Sequence, residues 1–67
     1  MTANQYRAAL ERLELTQVGA ARLLGVGERT SRRWAEEGNV SSTAAIVLRA
    51  MLAGRLSVED VEKLARR

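Results

Sequence analysis

The sequence predicts an all-α fold, a compact five-helix domain built around two short helices joined by a tight turn. Three observations carry this. No stretch alternates apolar and polar residues as a strand requires, phenylalanine is absent and β-branched runs are scarce. Gly25, Gly38 and Gly54 divide a chain without proline into helix-sized pieces. The segment Thr16 to Gly38, TQVGAARLLGVGERTSRRWAEEG, holds two amphipathic pieces joined through Gly25, the pattern of a helix-turn-helix.

Sixty-seven residues predict a single domain, 1–67, near the size at which one hydrophobic core is marginal. With no cysteine and no histidine, disulfides, thiolate chemistry, zinc sites and imidazole catalysis are excluded by inventory. The longest apolar run, Ala44 to Leu48, is far short of the roughly 18 residues of a membrane span. Met1 to Arg7 lead into a polar helix start, not an apolar signal core, so a cytoplasmic protein is expected. Eleven basic against eight acidic residues leave a net charge of +3, too small by itself to identify a nucleic-acid binder. The distribution says more, because Arg29, Arg32 and Arg33 stand within five residues.

The first helix is expected over 3–14. Thr2 and Gln5 have the spacing of a capping box, and Tyr6, Leu10 and Leu13 form its core stripe. Arg7 and Arg12 read as solvated surface, with phosphate contact the alternative. The second helix, 17–24, is capped by Thr16 and should bury Ala20, Ala21 and Leu24 with help from Val18 and Leu23. The small pair Ala20 and Ala21 lets the next helix approach closely. Gly25 ends this helix, and Val26 tucks back as an apolar plug.

The third helix, 28–37, takes Gly27 as its cap and Gly38 as a left-handed terminator. At about 100° per residue, Glu28, Arg32, Arg29 and Arg33 share one face, and Thr30, Ser31 and Trp34 turn toward the core. Trp34 is the expected anchor. The fourth helix, 43–53, is apolar almost all round apart from Arg49, which predicts cover on most sides, as the central helix of the monomer in preference to partial cover by a second subunit. The fifth, 58–66, starts at a Ser57 cap with Asp60 at its third position and a Leu56–Val61 staple. Glu59 and Asp60 at its start, and Arg66 and Arg67 at its end, suit the helix dipole. Its stripe of Val58, Val61, Leu64 and Ala65 either closes the core or pairs across a two-fold axis.

Thr16 and Gln17, Ala21, Leu24, Gly25, Val26 and Trp34, followed by Gly38 and an apolar fourth helix, resemble the lambda-repressor-like, Cro-type helix-turn-helix regulators of phages and bacteria. The resemblance covers most of the chain. It implies that Gln17 contacts phosphate and that Glu28, Arg29, Arg32 and Arg33 lie on the exposed face of the DNA-reading helix, with the role of Thr30 less defined. Where such proteins carry a β-branched aliphatic residue, this chain has Ser31. Either Trp34 and Leu48 fill the space, or the domain is loosely packed.

The expected function is sequence-specific binding of double-stranded DNA by a small phage- or plasmid-type repressor or activator. The third helix enters the major groove, and Arg29 and Arg33 offer paired donors to guanine. Glu28 accepts from a cytosine amino group or orients an arginine. Glu36 and Glu37 would oppose phosphate, so the N-terminal half of the helix is the part suited to the groove. One module makes few phosphate contacts, which implies a homodimer on two half-sites about 34 Å apart. No cofactor, metal or membrane partner is expected, and no catalytic constellation can be assembled. The alternative is a protein-interaction module, antitoxin-like or a phage regulatory subunit, built on the same helical body.

Overall fold

The computed structural model describes residues 1–65, and side chains through residue 64. Five helices follow one another: α1 (Ala3–Arg12), α2 (Gln17–Leu24), α3 (Glu28–Glu37), α4 (Ser42–Leu52) and α5 (Val58–Ala65). Among the described residues there is no strand.

Local sequence starts these helices where capping chemistry directs. Thr2 accepts from the Gln5 amide at 3.1 Å, and the Gln5 side chain accepts from the Thr2 amide at 2.9 Å. Thr16 accepts from the Gly19 amide at 2.9 Å. Ser57 and Asp60 bond reciprocally at 3.0 Å, which holds the Asp60 carboxyl below its ordinary range. The fourth helix differs from expectation: its cap is Ser41, which accepts from the Ala44 amide at 3.2 Å, so α4 spans Ser42–Leu52 and not 43–53.

Three of the helices end in one way. The Val26 amide folds back to the Ala21 carbonyl at 2.9 Å with Gly25 left-handed at φ 71°. The Arg55 amide reaches Ala50 with Gly54 at φ 75°, and the Leu15 amide reaches Leu10 with Glu14 at φ 56°. The third case corrects the expected boundary at residue 14. Glu14 takes the left-handed place that glycine takes elsewhere, so α1 stops at Arg12 and Leu15 turns back against the core. Gly38 has positive φ but is not left-handed helical: φ 84° and ψ −140° lie in a region essentially reserved for glycine. It also sits against α1, since a Cβ there would stand 3.1 Å from the Ala3 nitrogen.

Apolar faces meet in two adjoining clusters. Tyr6 and Leu10 of α1, Ala20 of α2, Trp34 and Ala35 of α3, and Ala44, Ala45 and Leu48 of α4 form the larger, with Val40 from the loop. Leu23, Met51 and Val61 form the smaller, between α2, α4 and α5. Leu13 and Leu15 touch both, which joins them. Ala20 and Ala21 are buried as expected, whereas Leu24 and Val26 are half-buried against the larger cluster. The expected help from Val18 does not occur, because that side chain stands on the outer side of α2.

One further expectation is corrected. The fourth helix is not central: it buries Ala44, Ala45, Leu48 and Met51 on one face and leaves Ile46 65% exposed on the other. So few residues cannot surround a helix on all sides. On α5, Val61 is buried with Leu56 packed against its cluster, in keeping with the staple, and Leu64 is 56% exposed, so of the two roles left open for the stripe the core takes Val61 and not Leu64. The side chain of Ala65, and Arg66 and Arg67 with their expected dipole role, lie outside the described residues.

Glu14 and Gly38 predict opposite responses. Glu14→Gly relieves a left-handed non-glycine residue and should raise stability by about 0.5–1 kcal/mol after the extra unfolded-state entropy is counted. Gly38→Ala meets both a forbidden backbone region and the α1 backbone, and should lower stability by roughly 2–3 kcal/mol. Urea midpoints of the two variants check both signs.

Candidate nucleic-acid interface

The third helix divides sharply by chemistry. Ser31, Trp34 and Ala35 are buried, and Glu28, Arg29, Arg32, Arg33, Glu36 and Glu37 are all exposed. Thr30 is half-buried at the border between the two sides. The inward side is set by Trp34, whose ring meets Tyr6 edge-on at 5.6 Å between centroids and 81° between planes. The outward side therefore carries three guanidinium groups and one carboxylate over its first six residues, Glu28 to Arg33, and two carboxylates over its last four. Arg33 lies 3.9 Å from Glu37, an exposed pair of small energetic weight that marks where the basic surface gives way to the acidic one.

Gln17 is exposed at the first position of α2, directly after the Thr16 cap. Its backbone ties it to α3: the Ser31 hydroxyl donates to the Gln17 carbonyl at 2.9 Å. That contact places the start of α2 against the middle of α3. Amides at a helix start have no partner within the helix and point outward along its axis, the orientation in which an anion is favoured.

Ser31, expected as a weakness, is instead fully buried and fully bonded. Its oxygen lies 2.6 Å from the Tyr6 hydroxyl. Because Ser31 has one proton and gives it to Gln17, the Tyr6 hydroxyl is the donor to Ser31. The Tyr6 hydroxyl meets it there, within the same cluster as Trp34 and Leu48. No buried side-chain nitrogen or oxygen among the described residues is left without a partner. The link is missing from the sequence reading, although its signal was there: a tyrosine and a serine, both on core-facing positions, each need a hydroxyl partner.

Arg7 is exposed, as expected, and its guanidinium donates to the Ala35 carbonyl near the end of α3 and to the Asn4 side chain. A cation on those last carbonyls suits the negative end of the helix dipole. Arg12 is exposed at the other end of α1.

A groove of about 460 Å³ lies on a different side, between α2, the turn after it, α4 and α5. Leu23, Leu24, Val26, Val47, Leu56, Val61 and Leu64 make it apolar, with Ser41 and Thr43 the polar members. Among the described residues no cluster of three or more acidic side chains is placed to hold a metal, and no helix is long and apolar enough to cross a membrane. No protein-family model, no curated protein and no solved structure matches this chain.

Burial raises the ionisation of Tyr6 above its ordinary value of 10.0. The folded chain thus keeps a proton that the unfolded chain releases. The resulting stability is fully present below pH 10.0 and is lost as pH rises through the folded value. Tyr6 is the only tyrosine, so tyrosinate absorbance should appear above pH 10.0 together with loss of helical circular dichroism. Titration at the ordinary value with the helices intact would contradict the buried hydroxyl pair.

Proposed function

We propose that this chain is a lambda-repressor-like, Cro-type helix-turn-helix regulator that binds double-stranded DNA in the cytoplasm. The observation that carries the reading is the exposed face of α3 from Glu28 to Arg33, where Arg29, Arg32 and Arg33 project from a helix whose other side is locked by Ser31 and Trp34. In this reading α2 and α3 are the two helices of the motif, and Gly25 with Val26 forms its turn. The basic half of α3 lies in the major groove. Arg29 and Arg33 each offer two donors to a guanine, Arg32 reaches a phosphate or a neighbouring base, and Glu28 accepts from a cytosine amino group or steadies an arginine. Thr30, at the border, is left for a glancing contact with a base or sugar.

Gln17 and the outward amides at the start of α2 hold a phosphate beside the groove. Glu36 and Glu37 keep the far end of α3 away from the backbone. The function is binding, with no cofactor and no chemistry. A second copy supplies the second half-site, one helical turn away, and thereby the additional phosphate contacts. The exposed Leu64 on α5 supports a pairing surface near that helix.

A second reading, a module that binds another protein, is favoured by one feature: the apolar groove between α2, α4 and α5. The two readings part on salt. DNA binding through several phosphates weakens steeply between low and moderate salt, whereas an apolar protein contact does not.

Selection of duplexes from a random pool tests the proposal. The wild-type chain should enrich a motif with two half-sites. Arg29→Ala and Arg33→Ala should each relax preference at one base pair, at a cost of roughly 1–3 kcal/mol. Enrichment of the same motif with equal strength by both variants would refute these base-reading roles.

A further inference from the structure

The contact between α1 and α3 is more specific than core packing requires. Tyr6 and Ser31 are both fully buried, and each spends a hydroxyl on a chain that runs from Tyr6 through Ser31 to the Gln17 carbonyl. A phenylalanine opposite an alanine or valine would fill such a space without any hydrogen bond. Hydroxyl pairs add little net stability over that, but they demand short distances and a fixed direction. The rest of α1 follows the same line. Arg7, beside Tyr6, bonds the Ala35 carbonyl, and the Ala3 backbone lies against Gly38. Ser31, Ala35 and Gly38 succeed one another along α3 at the one-turn spacing of a helix face, on the side away from the arginines.

Rotating α3 by roughly 20° about its axis would move the Ser31 oxygen by about 1 Å and the outer ends of its side chains by about 2 Å. The first shift breaks a 2.6 Å hydrogen bond; the second misplaces a guanidinium relative to a base edge. We infer that Tyr6 is a positioning residue for DNA recognition: through Ser31 its hydroxyl sets the rotation of α3 against the start of α2, so that Arg29, Arg32, Arg33 and Gln17 meet a duplex as one rigid unit. The inference rests on the DNA-binding reading. Tyr6 itself touches no DNA, being enclosed on the opposite side of α3.

The test uses the full chain as wild type, Tyr6→Phe, Ser31→Ala and Ser31→Thr, on the duplex enriched by the wild type and on a scrambled duplex at the same salt. Temperature is held where circular dichroism shows each variant fully helical. Tyr6→Phe and Ser31→Ala should lose about tenfold in affinity for the enriched duplex, the size of one impaired base contact, and keep their affinity for the scrambled duplex. The salt slope should not change, because no phosphate contact is removed. Ser31→Thr, which retains the hydroxyl, should preserve the wild-type ratio, and the comparison of Thr with Ala decides the matter even if Tyr6→Phe fails to fold.

A merely structural pair would lower the melting temperature and leave the ratio of the two affinities within about twofold of wild type, a result that overturns the inference alone. Failure of the wild type to enrich any duplex, or to bind with a salt dependence, overturns the DNA reading and this inference with it.

Discussion

The hydroxyl chain from Tyr6 to Ser31 to the Gln17 carbonyl is the constraint on which the rest of the arrangement depends. It connects the first three helices at one buried point and satisfies two polar groups that would otherwise destabilise the core. Around it the packing is apolar and small: Ala20, Ala21 and Ala35 let backbones approach, while Trp34 and Leu48 supply the volume. Each α3 residue is thereby committed to a side. The Tyr6 ring serves twice, standing nearly perpendicular to Trp34 and turning its oxygen toward Ser31.

A second consequence is a division of surfaces. One region is basic and held rigidly from behind; another, between α2, α4 and α5, is an open apolar groove bordered by Leu64. The two differ in the partner chemistry they suit, the first anionic and the second apolar. Leu23 and Leu24 of α2 and Val26 of the turn line the groove, so α2 and its turn adjoin both regions.

Much of this was legible in the chain. Thr2 with Gln5, Thr16, and Ser57 with Asp60 announce helix starts because a cap is a contact between near neighbours. Gly25 and Gly54 announce helix ends for the same reason, and angular position alone separated Arg29, Arg32 and Arg33 from Trp34. What was not legible depends on distant residues. Glu14 adopts a glycine conformation because Leu15 is drawn back to the core, and nothing in its own side chain signals that. The apolar sequence of α4 overstated its burial, since Ile46 has no element to cover it. Ser31 looked like a fault because its partner stands 25 positions earlier in the chain. The outward placement of the arginines could be read; that Tyr6 fixes their orientation could not.

In the proposed function the basic part of α3 and the start of α2 form the DNA-contacting surface. Titrating isotope-labelled chain with its enriched duplex and following backbone amide resonances tests it most directly. Shifts should concentrate at residues 16–18 and 28–33, with Val47, Leu56 and Leu64 unmoved by the first equivalents. Shifts confined to the groove residues, with the amides of α3 unchanged, would contradict it.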